Sequence, residues 1–459
     1  MEDVASSSTA AHHLCVLVHG LWGSPQHMGY LAKSLREAYS EDQLHILVAA
    51  RNAGSFTYDG IELGGERITQ EIEEELDRLA RNGQTIKKLS IIGYSLGGLV
   101  SRYAIGLLYH KGWFDKVEPV NFTTFATPHL GVRTPLVGVW NHLWNVLGAR
   151  TLSTSGRQLF TIDSFRDTER PLLSILADPE SVFIKGLKRF KRRSLYCNIV
   201  NDRSAVYYTT AISRIDPFHD LAGVKVNYLK GYEPVLVDPA NPVSPKHEKE
   251  ALPTFSRRLA GGSYNALGRL PFMVFLFIFI PIASVLFLLN SGVQSIRSRK
   301  RIRQYVEGKA GLDPTAYSIP LLVNDVRLEA EEIYEGMNNN QEYLPSGSEE
   351  YAAAQSSKHS FDHEKSDSSE TQPLIQAEDQ GAEEQSRLQR SDLEFSTLAL
   401  TPIQFAMIQA LDDVGFRKYP VWIHKNRHSH AAIIVRNPIK PSFEEGKIVA
   451  KHWLSEFEI

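Results

Sequence analysis

Two hydrophobic periods alternate along the first half of the chain. Short, almost continuous apolar runs at residues 14–18 (LCVLV), 44–49 (LHILVA), 89–92, 122–126 and 195–200 read as strands buried on both faces. Between them lie stretches at helical spacing: 27–39, then 65–81 with Ile68, Ile72, Leu76 and Leu79 on one face, then 99–109. Strands that alternate with helices predict an α/β domain whose mostly parallel sheet is covered on both sides. A second patterned region opens at Thr401-Pro402-Ile403-Gln404, which has the form of a capping box with proline at the first helical position. The helix it predicts runs to Asp413. Residues 419–423 (YPVWI) then read as a final strand, followed by a histidine-containing loop.

Three stretches break this pattern. From 134 to 193 the spacing is mixed and Trp140, Trp144 and Phe160 stand out. That stretch is either an ordinary helical connection or a cap over a binding site. Residues 270–289 (LPFMVFLFIFIPIASVLFLL) carry no charge, and their length matches a membrane-embedded segment. Arg257, Arg258 and Arg269 precede the run, and Arg297, Arg299, Lys300, Arg301 and Arg303 follow it. The alternative is a buried core helix. Residues 337–395 are Asn, Gln, Ser, Glu and Asp in loose order, too poor in apolar surface to offset their ordering entropy, and read as disordered. The resulting division is a disordered 1–11, a core at 12–232 with an insertion at about 134–193, a further insertion at 233–336 holding the apolar run, the disordered tract, and the last part of the core at 396–459.

Composition narrows the classes. The 459 residues are 42% hydrophobic and 22% charged, ordinary for a globular protein, and the net charge of −3 makes no case for a nucleic-acid partner. The two cysteines, Cys15 and Cys197, both sit in apolar runs, so a reducing compartment is expected rather than a disulfide framework. Residues 1–11 lack the basic start and apolar stretch of a signal peptide, which places the active domain in the cytosol as an expectation. No zinc-type cluster or phosphate loop occurs, so neither cofactor nor metal is expected.

The chemistry is carried by Gly93-Tyr94-Ser95-Leu96-Gly97. A serine hydroxyl is a weak nucleophile that needs a neighbouring base and an exposed position. A sharp strand-to-helix turn exposes it, and glycines two before and two after remove clashing side chains. The run at 89–92 supplies the strand and 99–109 the helix, so Ser95 is the candidate nucleophile of an α/β-hydrolase fold. His19-Gly20-Leu21-Trp22-Gly23 ends the first strand. Acyl transfer needs two backbone N–H groups aimed at the developing oxyanion. Leu96, just after the nucleophile, and Leu21, in this early loop, are the candidates, with His19 organising the loop. The order serine, acid, histidine places the acid after a late strand. Asp202, at the end of 195–200, has that address, and Asp216 is a weaker rival that reads as a turn residue. The histidine belongs after the last strand: His430 is preferred and His428 is the reserve. His129, which precedes the acid, reads as structural or substrate-facing.

The segments VLVHGLWGSP, IIGYSLGGLVSRYAIG, FATPHLGV, NIVNDRSAVYYTTAIS and HSHAAIIVR together resemble the fungal lipid-droplet phospholipase family, within the wider group of lipase-class serine esterases. The resemblance implies hydrolysis of glycerophospholipid acyl esters through an acyl-enzyme and a lipid-droplet or endoplasmic-reticulum membrane location, with a phospholipid or other acyl lipid as partner. It carries over Ser95, Asp202 and His430. One departure is visible: such lipases usually have Val-Pro after the acid, where this chain has Ala205-Val206. A membrane-tethered esterase or thioesterase on soluble substrates and a catalytically inactive scaffold are the alternatives. Ser95 and His430 flank the apolar run, so a single crossing would separate them. Pro281 suggests a bend instead. Two arms of about ten residues reach roughly 15 Å each, about half the roughly 30 Å hydrocarbon core. A hairpin or shallow helix in one monolayer, with both ends cytosolic, is therefore expected.

Overall fold

The computed structural model describes residues 11–132, 153–246 except 203, 292–307, 398, and 400–459 except 427. Six strands form its main sheet: β1 (His13–Val18), β2 (Leu44–Val48), β3 (Lys88–Tyr94), β4 (Glu118–Phe125), β5 (Arg192–Asn198) and β8 (Arg417–Val421). Their order is β2-β1-β3-β4-β5-β8, with every pairing parallel. Two short strands, β6 (Val224–Val226) and β7 (Val243–Pro245), make a separate antiparallel pair.

Each apolar run faces two cores. In β1, Leu14, Val16 and Val18 enter one, while Cys15 and Leu17 enter the other. A strand with no solvent face has no reason to alternate with polar residues, which is why these runs are nearly continuous. One side is covered by α2 (Ile61–Arg81), α3 (Leu96–His110), α4 (Ser153–Leu159), α5 (Leu172–Leu176), α6 (Val182–Lys188), α7 (Tyr207–Ala211) and, from the C-terminal region, α9 (Pro402–Asp412). The other side is covered by α1 (Gly29–Ala38) and α11 (Glu444–Glu456), through Leu31, Leu35, Val449 and Trp453. A helix at 292–306, α8, stands apart in sequence from both groups, and the one-turn α10 (Ser429–Ala432) follows β8. This mostly parallel sheet between helical layers is the expected α/β-hydrolase architecture.

Several boundaries differ from the expected ones. Helix α2 starts at Ile61 and runs straight through Gly64-Gly65, because it crosses α3 there: a Cβ on Gly65 would lie 2.6 Å from the Tyr103 ring. The described part of the 134–193 insertion is a helical connection built into the core. Phe160, Phe183, Ile184, Leu187 and Phe190 are buried in it, whereas Trp140 and Trp144 lie outside the described residues. The core also continues past 232. Leu236 bridges Val421, Val237 N–H donates to the Pro420 carbonyl at 2.9 Å, and Trp422 N–H donates to the Val235 carbonyl at 2.8 Å, so the sheet edge extends beyond β8. The apolar run at 270–289 and the tracts at 1–10 and 337–395 lie outside the described residues. Among the described residues no helix is long and apolar enough to cross a membrane.

Candidate active site

Strand β3 delivers Ser95 at its carboxyl end, and α3 begins on the next residue. Between them Ser95 takes φ 53° and ψ −128°, a backbone conformation that L-residues seldom adopt and that lifts the side chain out of the sheet. Its own N–H is tied to the Phe125 carbonyl at 2.9 Å. The flanking glycines are required by contact: a Cβ on Gly93 would collide with the Gly98 backbone, and one on Gly97 with the Val18 carbonyl. Helix α3 therefore starts at Leu96 rather than near 99, with both glycines of Gly97-Gly98 inside its first turn.

Three side chains from distant parts of the chain meet here. The His430 Nε2 lies 2.9 Å from Ser95 Oγ, and its Nδ1 lies 2.9 Å from Asp202 Oδ2. Asp202 follows β5, and its side chain is only 1% exposed, against 17% for His430. Burial pushes the Asp202 carboxyl up, but the opposing pull is larger. The His430 imidazole, the Ala205 N–H at 2.8 Å and the Asn198 amide at 2.9 Å together hold it below the usual carboxylate range. Ser204 N–H adds a further bond at 3.0 Å. An ionised carboxylate only accepts, so His430 Nδ1 must carry the proton it shares with Asp202. Nε2 then faces the Ser95 hydroxyl with its lone pair.

The imidazole is held from two sides. Tyr94 donates its hydroxyl to the His430 carbonyl at 3.0 Å and packs its ring 5.2 Å from the imidazole. Ser429 donates to the Val200 carbonyl at 2.9 Å, fastening α10 to the end of β5. Sequence reasoning missed Tyr94, Asn198 and Ser429. The available signals were adjacency, since Tyr94 precedes the serine and Ser429 precedes the histidine.

The other candidates are placed apart. His428 caps α10, with its backbone N–H on Asn426, and among the described residues it is His430, not His428, that hydrogen-bonds Ser95 and Asp202. Asp216 closes a turn through the Phe218 N–H at 3.0 Å. His129 is fully buried, with Nε2 3.0 Å from Thr124 Oγ1 and Nδ1 facing Arg102, and is structural. His19 is buried under the glycine loop, its Nδ1 3.1 Å from the Gly20 carbonyl. That loop lies against the serine: a Cβ on Gly20 would sit 2.7 Å from Ser95 Cβ and 3.2 Å from Oγ. No hydrogen bond among the described residues takes up the N–H of Leu21 or of Leu96. No group of three or more potential metal ligands occurs among the described residues.

Comparison with known proteins agrees with this geometry. The chain is 30% identical over 242 residues to the putative lipase ROG1 of Saccharomyces cerevisiae, covering 50% of this chain and 33% of that one. It is 33% identical over 210 residues to the putative lipase YDL109C of the same yeast, covering 44% and 31%. The chain thus spans about a third of the length of the curated relatives it matches. Among solved structures, phospholipase PlaB from Legionella pneumophila is 16% identical, with 45% of this chain and 44% of that one covered and a TM-score of 0.27; the fold assignment rests on the sheet itself. Residues 8–214, which carry the elbow, the glycine loop and Asp202, match the model of a family described as "Putative serine esterase (DUF676)".

Proposed function

We propose that the chain is a serine-dependent lipid acyl-ester hydrolase acting on glycerophospholipid at a lipid-droplet or membrane surface. The observation that carries the reading is the unbroken relay from Ser95 Oγ through both nitrogens of His430 to Asp202. His430 Nε2 takes the hydroxyl proton as Ser95 Oγ attacks the ester carbonyl carbon. The resulting oxyanion is received by the Leu21 and Leu96 N–H groups. His430⁺, held by Asp202, returns the proton to the leaving alcohol, and an acyl-enzyme remains. A water molecule deprotonated by the same nitrogen then releases the fatty acid.

The lipid part rests on separate support. The matched yeast relatives are named putative lipases, and Trp22, in the same loop as the Gly20 that lies against Ser95, is 52% exposed. The triad also constrains topology: Ser95 and His430 touch, yet the run at 270–289 lies between them in sequence. If that run is embedded, it enters and leaves by the same face, as a single lipid-droplet monolayer permits.

Lipid-resolved hydrolysis by purified wild type and Ser95→Ala tests the reading, with fluorophosphonate labelling alongside. Expected is labelling and release of fatty acid from phospholipid vesicles, both lost in the variant. Activity on short-chain esters alone would point to a tethered esterase, and no labelling of wild type to an inactive scaffold. Protease digestion of both termini together on intact membranes is the expected topology.

A further inference from the structure

The glycine loop that carries the Leu21 N–H is not held by the triad. It is held by the neighbouring turn Gly54–Tyr58. Gly54 N–H donates to the Gly23 carbonyl at 2.8 Å, the Trp22 N–H to Thr57 Oγ1 at 3.1 Å, and the Trp22 indole to the Tyr58 hydroxyl at 2.7 Å. Thr57 gives its own proton to the Gly54 carbonyl at 2.6 Å, which leaves its oxygen free to accept from Trp22. Trp22 needs these restraints, because at φ 53° it occupies a conformation unfavourable to a bulky side chain.

What fixes the turn comes in part from far away in sequence. Asp59, directly after it, is completely buried and takes two guanidinium groups. Arg67 from α2 reaches Oδ2 at 2.7 Å. Arg301 from α8 forks onto the carboxylate, with Nε 2.9 Å from Oδ2 and an Nη 2.7 Å from Oδ1, and also donates to the Ser55 carbonyl at 2.9 Å. Both guanidinium groups lie over the Phe56 ring, about 5 Å from its centroid. The sequence pattern had placed Arg301 in the basic flank of the apolar run. In the fold it is bound to a protein carboxylate.

A buried ion cluster contributes little net stability, but it defines geometry tightly, since each partner tolerates few positions. An oxyanion donor works only if it is in place before charge develops. We propose that Arg301 is a positioning residue of the reaction: through Asp59 it fixes the turn at 54–59, and through that turn the loop bearing the Leu21 N–H. The inference rests on the Ser95 chemistry proposed above. It also couples α8, which follows the apolar run in sequence, to the rate of the chemical step.

The test uses the full-length chain and a soluble short-chain ester, so that surface binding plays no part. Rates are expressed per Ser95 titrated by fluorophosphonate, which removes any misfolded fraction from the count. Arg301→Ala is expected to lower kcat about tenfold or more, since small misplacements of catalytic groups cost that much. KM should stay within twofold, and the pH profile should not move. Arg301→Lys should recover part of the loss. Tyr58→Phe should lower kcat by itself, and its loss should not multiply with that of Arg301→Ala, because both act through one loop. Unchanged kcat in folded Arg301→Ala, or losses that multiply independently, overturns the inference. Should Arg301→Ala fail to fold, Arg301→Lys decides: a several-fold loss in kcat at constant KM supports the inference, and full kcat overturns it. Wild type that neither labels nor hydrolyses esters refutes the proposed function instead.

Discussion

Strand β3 carries a serine–histidine contact at each end. At its carboxyl end Ser95 Oγ lies 2.9 Å from His430 Nε2; nearer its start, Ser90 Oγ lies 2.8 Å from His13 Nε2. By distance the two pairs are equivalent, and by chemistry they are opposites. Ser90 accepts from the Asn121 side chain at 2.8 Å and its N–H at 3.2 Å, so its own proton goes to His13 and stays there. The second nitrogen of His13 finds no hydrogen-bond partner among the described residues, whereas that of His430 has Asp202. Burial, with Lys88 adding to it, pushes the His13 imidazole down to about 4. A ring that resists protonation this strongly is a poor base near neutral pH. The contrast locates catalytic competence in the carboxylate behind the imidazole and in the strained, accessible turn under the serine, not in the contact itself.

Exchanging features between the two pairs sharpens this contrast. Ser95→Ala should lower kcat by about 10⁵–10⁶-fold and abolish fluorophosphonate labelling, while Ser90→Ala should label like wild type. Loss of labelling in folded Ser90→Ala breaks the comparison outright. Asp202→Asn makes His430 resemble His13, and a kcat loss of about 10⁴-fold is expected, with circular dichroism unchanged. A third test concerns pH. His13 titrates near 6.5 when unfolded and about 4 when folded, so its contribution to stability is present above pH 6.5 and is lost as pH falls toward 4. The amount is on the order of 3 kcal/mol. Urea midpoints measured between pH 7 and 4.5 should fall less steeply in His13→Gln, and parallel curves would show that His13 is not the group responsible. The smallest effect is the stability of Ser90→Ala, about 1–2 kcal/mol below wild type for the unpaired groups left behind, with kcat unaltered.

Much of this was legible in the linear pattern, for identifiable reasons. Strands buried on two faces leave continuous apolar runs, and the Thr401–Gln404 capping box forms as its residues imply, with Thr401 Oγ1 accepting from the Gln404 N–H at 3.3 Å. Ser95, Asp202 and His430 could be picked out because the fold imposes an order on them. Glycines misled in two places. Gly64-Gly65 and Gly97-Gly98 look like helix breakers, but they sit inside helices where neighbours crowd the Cβ position at Gly64 and leave no room for a Cβ at the other three. The sheet extension at Val235–Val237 was invisible because its partner, β8, is remote in sequence and its pairing is too short to show a period. Arg301 was hidden for a related reason: beside other cations it looks like surface charge, and only the fold reveals Asp59 waiting for it.

The order in which the parts are made has its own consequence. Nucleophile and base are separated by 335 residues, acid and base by 228. At about 5–20 residues per second, the ribosome emits the histidine roughly 20–70 s after the serine. Throughout that interval the nascent chain exposes a serine with no base to activate it. The relay from Ser95 through His430 to Asp202 can therefore close only when the last strand joins the edge of the sheet and brings the imidazole with it.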